Sequence, residues 1–338
     1  MGALIHRGSE SGLSLPIISP ESRPFSLVRH PALPMSHRSV AQLSVAILSF
    51  AVAANAQGVD STHRVSPTPA CASCAEWNAP HAPVHIYGNT YWVGTNGLGS
   101  ILITSPGGHV LIDGALAESP EHILENIRAL GFRIQDVKLI LNSHVHYDHA
   151  GGIAELQRLS GAIVAASPWS AAVLRSGNPA RDDPQYGIAL PIAPVSNVRA
   201  IHDGETLRVG PLAVMAHFTP GHTPGGTTWT WQSCEARRCN TMVYADSQTP
   251  VSADDFLFTR NTTYPSALAD FRRSASVLDT LRCDILITPH PGASAFWERV
   301  AARDSGNADA LMNHEACRAF AEQTRKQLAA RIAKEGSR

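Results

Sequence analysis

The chain has little charge, because Asp, Glu, Lys and Arg make up only 16% of its 338 residues and the net charge is −1 at pH 7. It has no basic stripe, which disfavours nucleic acid as a partner. It also lacks a solenoid-type repeat, and no apolar segment is long enough to span a bilayer comfortably. By contrast, it contains 25 Gly, 23 Pro and 44% hydrophobic residues. This composition indicates a compact body with many turns and a sizeable core.

The first 56 residues are predicted to precede the mature protein. Residues 1–34 are polar and without periodicity, and we interpret them as an upstream extension or a disordered leader. Met35, the expected initiator, is followed by His37 and Arg38, an apolar run over 40–54 and small residues at 54–56. This order is typical of a secretory signal peptide with Gln57 as the mature start. We therefore expect a periplasmic protein without membrane attachment, with a flexible arm over 57–84 and one domain over 85–338.

The six cysteines are even in number, which favours disulfides in an exported chain. Cys71-Ala-Ser-Cys74 could instead be a metal or redox pair, but no second pair with zinc-site spacing is present. Hydrophobic periodicity predicts a strand through Val84–Val93 and a long helix over Ala308–Ala333. Residues 176–197 contain four prolines and no periodicity, so a functional or mobile loop is predicted there.

Side chains that can bind metals or act in catalysis are concentrated in the segment His144-Val145-His146-Tyr147-Asp148-His149. A predicted strand, Val137–Leu141, precedes it and a predicted helix follows, so the cluster lies at the carboxyl end of a strand. The spacing of His144 and His146 directs both rings to one side of an extended backbone. The turn that follows can direct Asp148 and His149 the other way. Imidazole and carboxylate ligands suit zinc first, with iron or manganese as alternatives.

Two more histidines share this setting, because His222 and His290 each follow an apolar predicted strand and lie among Pro and Gly residues. If the three strand ends converge, five histidines and one aspartate can hold two metal ions with open positions. The five histidines that lack this setting are not predicted as ligands: His109, His122, His202, His217 and His314. Two β-rich halves, each followed by helices, predict a sandwich with one sheet from each half.

These motifs resemble those of the metallo-β-lactamase superfamily, which includes class B β-lactamases, hydroxyacylglutathione hydrolases, quorum-sensing lactonases and RNA-processing nucleases. The resemblance extends from about His85 to the C-terminus and is strongest to β-lactamases of subclass B3. Beyond the histidine motif, it is carried by Asp113-Gly114, Thr219–Gly226, Tyr244-Ala245-Asp246-Ser247 and Thr288-Pro289-His290-Pro291. It implies an α/β fold, a four-layer αβ/βα sandwich of two mixed β-sheets flanked by helices.

The resemblance also implies roles for particular residues. His144, His146 and His222 would hold the first of two zinc ions. Asp148, His149 and His290 would hold the second, and Asp148 would also orient the nucleophile. Ser247 and Thr249 resemble residues that bind the substrate carboxylate, and Gln185 resembles a loop residue that faces the pocket. Cys283–Cys317 and Cys234–Cys239 resemble disulfides of the subclass, whereas Cys71 and Cys74 could be bonded to each other or free.

The implied activity is hydrolysis of the amide bond of penicillins, cephalosporins and carbapenems by a metal-bound hydroxide, which confers antibiotic resistance. We expect a monomer whose partner is a small-molecule β-lactam. The alternative is an exported lactonase or other metallo-hydrolase of the same superfamily, whose sites often add a metal-bridging aspartate where Asp246 lies. We expect Asp246 behind the ligands and Ser247 toward the pocket. A non-catalytic zinc-binding protein is disfavoured, since six ligands shared by two ions leave room for water.

Overall fold

The computed structural model describes residues 71–337. The predicted leader, the signal peptide and the arm upstream of Cys71 lie outside the described residues. None of the helices in this range has both the length and the hydrophobicity that a membrane crossing requires.

Twelve strands of the described range form two sheets. The first sheet has seven strands in chain order: β1 (Val84–Tyr87), β2 (Thr90–Trp92), β3 (Ile101–Ile103), β4 (His109–Ile112), β5 (Val137–Leu141), β6 (Ile163–Ala166) and β7 (Val198–Ala200). Strands β1 to β4 pair antiparallel and β4 to β7 pair parallel. Because parallel strands point the same way, the carboxyl ends of β4 to β7 share one edge.

The second sheet has five strands: β8 (Thr206–Val209), β9 (Leu212–Phe218), β10 (Thr227–Glu235), β11 (Arg238–Tyr244) and β12 (Ile285–Ile287). Their spatial order is β12-β11-β10-β9-β8, and all pairs are antiparallel except β11 with β12. Both sheets are therefore mixed, as predicted.

Eight α-helices lie in the connections and at the ends of the described range: α1 (Cys74–Trp77), α2 (Pro120–Ala129), α3 (Tyr147–Ala150), α4 (Ile153–Ser160), α5 (Pro168–Ser176), α6 (Ala267–Thr280), α7 (Phe296–Asp304) and α8 (Ala316–Gly336). Short 3-10 turns cover Ile134–Asp136 and Pro291–Ser294.

Alternation of side chains along the strands divides the core into layers. In β3, Ile101 and Ile103 belong to the cluster shared with the second sheet, whereas Leu102 belongs to the cluster shared with α2, α4 and α5. This is the two-residue period of a strand that is covered on both faces. Trp229 of β10 and Tyr244 of β11 supply the largest fully buried side chains from the second sheet to the central layer.

The outer face of the second sheet is covered by helices as well. Val243 of β11 and Leu286 of β12 pack with Ala275 and Leu278 of α6 and Phe320 of α8. The order of layers is therefore helices, sheet, sheet, helices, which confirms the predicted αβ/βα sandwich.

Three local predictions differ from the structure. The single strand predicted over Val84–Val93 is a hairpin, because Gly88 adopts a positive φ of 55° between β1 and β2. The tail helix predicted over Ala308–Ala333 begins later, at Ala316, and the separate helix α7 precedes it. Residues 71–84, expected in the flexible arm, pack against the body, with the Trp77 carbonyl accepting from Thr95 Oγ1 at 2.6 Å.

The structure pairs the cysteines of the described range as Cys71–Cys74, Cys234–Cys239 and Cys283–Cys317. The second pair closes the end of the β10–β11 hairpin, where the two residues are opposite each other. The third links the start of β12 to the start of α8. Of the two alternatives for Cys71 and Cys74, the structure shows the bonded pair.

Candidate metal centre

Three strand ends meet at one edge of the sandwich. Strand β5 of the first sheet leads into His144–His149, while β9 and β12 of the second sheet lead to His222 and His290. Asp113 fixes the turn after β5, because its carboxylate accepts from the backbone N–H of Ser143 at 2.7 Å and from its hydroxyl at 2.6 Å. The predicted convergence of these ends is what the structure shows.

The first donor set consists of His144, His146 and His222, all buried, with one donor atom of each within 4.8 Å of the others. The ring centroids are 4.8–4.9 Å apart, and neighbouring rings are tilted by 76–90° to one another. Rings at steep angles do not stack, and each can direct one nitrogen toward a common centre.

Each of these rings has one nitrogen held by a partner outside the set. Nδ1 of His144 lies 2.8 Å from Asp246 Oδ1, and Nδ1 of His222 donates to the Thr249 carbonyl at 2.7 Å. Nε2 of His146 lies 3.1 Å from Asp183 Oδ2. The opposite nitrogen of His144, Nε2, is buried and has no hydrogen-bond partner. Such pairing on one ring nitrogen fixes the tautomer and leaves the other nitrogen as a metal donor.

The second donor set consists of Asp148, His149 and His290, and its atoms are closer together. Asp148 Oδ2 lies 3.2 Å from Nε2 of His149 and 3.2 Å from Nε2 of His290, and the two Nε2 atoms are 3.2 Å apart. Two imidazole nitrogens that face each other at this distance cannot both carry a proton. Two nitrogens and a carboxylate oxygen that converge on one point fit a divalent cation with borderline character, such as zinc.

Burial determines the protonation of two of the three rings in the first set. It lowers the pKa of His222 to about 3, with His146 adding to the effect, and it lowers the pKa of His144 well below the usual value. For His146, burial acts in the same direction, but Asp183 outweighs it and raises the pKa. Neutral rings at His144 and His222 are the state that metal coordination requires.

In the second set, burial alone would raise the pKa of Asp148, but the adjacent His149 and His290 outweigh it and hold the pKa well below its usual range. The carboxylate is therefore ionised at neutral pH. An anionic oxygen beside two imidazoles favours the binding of a cation.

The remaining predicted residues lie around these sets. Asp246 is fully buried behind His144 and belongs to neither donor set, as we expected. Ser247 and Thr249 line a cavity of about 270 Å³ together with Trp77 and His290. Gln185 Nε2 lies 3.5 Å from His146 Nδ1, at the border of the first set.

The histidines that were not predicted as ligands stay outside both sets. Two of them have other buried or half-buried partners: His217 bonds to Thr230 and His314 to Asp284. Sequence reasoning missed Asp183, which contacts His146, and Trp77, whose ring centroid is 5.1 Å from that of His290. The signal for Asp183 was limited to its place in the proline-rich loop, and nothing local distinguished Trp77.

Comparison with known proteins agrees with this geometry. Residues 99–290 match the model of the metallo-beta-lactamase superfamily. The chain is 54% identical to the Rm3 metallo-beta-lactamase, covering 79% of this chain and 100% of that one with a TM-score of 0.78. It is 49% identical to MEM-A1, a subclass B3 metallo-beta-lactamase from a soil metagenome library, covering 77% and 99% with a TM-score of 0.76.

Curated relatives are more distant. The N-acyl homoserine lactonase AttM of Rhizobium radiobacter is 28% identical over 153 residues, which is 37% of this chain and 55% of the relative. The chain thus spans about half the length of the curated relatives it matches. Fold, site geometry and similarity together lead to one assignment: the chain belongs to the metallo-β-lactamase superfamily, and its similar solved structures include subclass B3 enzymes.

Proposed function

We propose that the chain is a zinc-dependent β-lactamase that hydrolyses the amide bond of β-lactam antibiotics. The observation that carries the proposal is the pair of adjacent donor sets at one sheet edge. Similarity to proteins that are named metallo-β-lactamases, over 99–100% of their chains, supports the substrate class.

In this proposal His144, His146 and His222 hold one zinc ion, and Asp148, His149 and His290 hold the other. Zinc at such sites polarises a carbonyl and lowers the pKa of a bound water to about 7, so that a nucleophile exists at neutral pH. The chain supplies the geometry of that site. The three histidines of the first set are buried and each is held by a partner on one ring nitrogen, so little reorganisation accompanies binding.

Asp148 supplies the carboxylate of the two donor sets, and its ionised form can accept a hydrogen bond from a water that attacks the lactam carbonyl. It would thereby orient the nucleophile. Ser247 and Thr249 present hydroxyls to the cavity beside His290, where they can donate to the carboxylate that β-lactams carry. The Gln185 amide lies 3.5 Å from Nδ1 of His146, from where it would donate an N–H to the substrate.

The position of Asp246 bears on the alternative of a lactonase. A metal-bridging aspartate would have to contact both donor sets, but Asp246 contacts Nδ1 of His144 from behind. This favours the β-lactamase over the lactonase. We further propose export to the periplasm and action as a monomer. The three cysteine pairs suit an oxidising compartment, and cell fractionation and light scattering test these two points.

The central experiment measures hydrolysis of a penicillin, a cephalosporin, a carbapenem and an acyl-homoserine lactone, with metal content determined in parallel. We expect β-lactam hydrolysis that a chelator abolishes and added zinc restores, and resistance in a susceptible host. Lactone hydrolysis in the absence of β-lactam hydrolysis would favour the alternative. Zinc binding with closed coordination and no hydrolysis would favour a storage protein.

The ligand roles are tested by His144→Ala and Asp148→Asn. Removing a metal donor or the acid that orients water should lower kcat/KM by roughly 10²- to 10⁴-fold. Asp309→Asn is the matched control, because Asp309 is exposed at 72% of its side chain. Near-normal hydrolysis by a metal-free Asp148→Asn protein contradicts the assignment.

The substrate contacts predict a different kinetic signature. Ser247→Ala and Thr249→Ala each remove one hydroxyl that would bond to a charged carboxylate, a contact that contributes about 1.5–3 kcal/mol. We expect KM to rise by roughly 10- to 100-fold with a smaller change in kcat. An unchanged KM in both variants contradicts the role of this cavity wall.

A further inference from the structure

The loop between α5 and β7 carries a buried carboxylate that the proposed reaction does not use. Asp183 is only 2% exposed, and both of its oxygens lie 3.1–3.2 Å from Nε2 of His146. Oδ1 also accepts from the backbone N–H of Gln185 at 2.8 Å. The carboxylate therefore joins a histidine of the first donor set to Gln185, whose amide lies 3.5 Å from Nδ1 of the same histidine.

The orientation of His146 differs from that of the other two rings in its set. His144 and His222 have Nδ1 held by their partners, which leaves Nε2 as the donor. His146 has Nε2 held by Asp183, which leaves Nδ1 as the donor, and the amide of Gln185 lies 3.5 Å from that atom. A ring that rotated by a half turn would lose its partner and place the Cδ2–H group, which cannot bind a metal, where Nδ1 now lies.

We propose that Asp183 is a positioning residue that holds His146 with Nδ1 toward the first zinc, so that the loop facing the substrate sets the affinity for this metal. The inference rests on the proposed metal site and deepens it. Asp183 is no ligand, since it belongs to neither donor set. Its effect passes through the imidazole, whose N–H it accepts and whose basicity it raises.

The loop is itself fixed by contacts on both sides. The Pro184 carbonyl accepts from the backbone N–H of Ala253, in the segment that follows Thr249. Asp182 accepts from the indole N–H of Trp169 at 2.9 Å, on α5. Asp183 therefore does not depend on the metal to keep its place, and its carboxylate is preorganised for His146.

The experiment compares zinc affinity in wild type, Asp183→Asn and Asp183→Ala by competition with a chromophoric chelator, which resolves the two binding constants. We expect affinity for the first zinc to fall by roughly 10- to 100-fold, more for Ala than for Asn because the amide oxygen can still accept. Affinity for the second zinc should change little. Cobalt substitution gives a spectroscopic measure of the same site, and its visible bands should shift in both variants.

Asp182→Asn is the matched control, because it removes a carboxylate one residue away that contacts Trp169 and no histidine of the site. It should retain the zinc affinity and cobalt spectrum of wild type. Circular dichroism and thermal unfolding of the metal-free proteins show whether each variant folds. If Asp183→Ala does not fold, the Asn variant decides the comparison.

Wild-type affinity for the first zinc in a folded Asp183→Asn protein overturns the inference. An equal loss in Asp182→Asn also overturns it, since integrity of the loop would then be the cause. A wild-type protein that takes up no zinc overturns both the proposed metal site and this inference. A protein that binds two zinc ions but hydrolyses no β-lactam overturns only the proposed function, because the affinity comparison needs no substrate.

Discussion

The metal-free protein should be sensitive to mild acid because of His222. Burial, with His146 adding to it, lowers the pKa of this ring to about 3, against 6.5 for an ordinary histidine. The unfolded chain therefore binds a proton at a pH where the folded chain does not. Stability that is fully present above pH 6.5 is lost as the pH falls toward 3, because protons then favour the unfolded state.

The size of the effect follows from the shift. Each pH unit well below 6.5 costs about 1.4 kcal/mol for one proton, and at pH 6.5 the unfolded histidine is already half protonated. The free energy of unfolding therefore falls by about 2 kcal/mol between pH 6.5 and pH 4.5 from His222 alone. The assay is urea unfolding of chelator-treated protein over this range. His222→Asn should show a shallower dependence on pH, since an amide does not titrate and can still donate to the Thr249 carbonyl.

The control variant is His202→Asn, which removes an exposed histidine and shows the effect of losing a histidine that is not buried. Parallel pH dependences for wild type and His222→Asn would refute the reasoning, because the buried ring would then not be neutral in the folded protein. A steeper dependence in wild type that disappears when zinc is added would agree with it. A bound zinc ion competes with protons for the free ring nitrogen of His222 and so keeps it unprotonated.

The glycine turn and the disulfides give two more expected outcomes. A Cβ at Gly226 would collide with the Asp246 carboxylate, so Gly226→Ala should cost about 1–3 kcal/mol in thermal unfolding and weaken zinc binding through His144. Retention of wild-type zinc affinity in Gly226→Ala would show that displacing the Asp246 carboxylate does not affect His144 as a ligand. Replacing the Cys283–Cys317 pair by Ala, with a sequence separation of 34, should cost about 4 kcal/mol. Replacing Cys234–Cys239, with a separation of 5, should cost about 2 kcal/mol. These costs assume that a disulfide stabilises by restricting the unfolded chain, more so for a longer closed loop. Equal costs for the two pairs would contradict that assumption.

Local patterns in the sequence were sufficient for the sandwich and for the six donor residues. Strand β5 was predicted with its observed bounds, because Val137–Leu141 is apolar and is followed at once by polar residues. The donors of each set follow strand ends directly, and strand ends are positions that hydrophobic patterning can locate. Once the two sheets pack face to face with their helices outside, the ends of β5, β9 and β12 lie at the same edge of the sandwich.

Other features depended on information that is not local. Helix α7 was missed because only Phe296 and Val300 are buried, which gives a weak apolar periodicity over nine residues. The start of α8 was misplaced, since residues 308–315 have no helix-breaking pattern and are held as turns instead. Asn313, for example, donates its backbone N–H to the Asp284 carbonyl at 2.9 Å.

The anchors of the first donor set show most clearly why spacing alone could not define the site. Asp246, Asp183 and the Thr249 carbonyl are 102, 37 and 27 residues from the histidines they hold. They come from the end of β11 and from two loops, and each contacts a nitrogen of a different imidazole ring. A motif can specify which residues bind a metal, but the ring orientation depends on whichever polar group the fold brings behind each imidazole. Because two of these anchors lie on the segment that carries Ser247 and Thr249, the backbone that lines the cavity beside His290 also orients two donors of the first set.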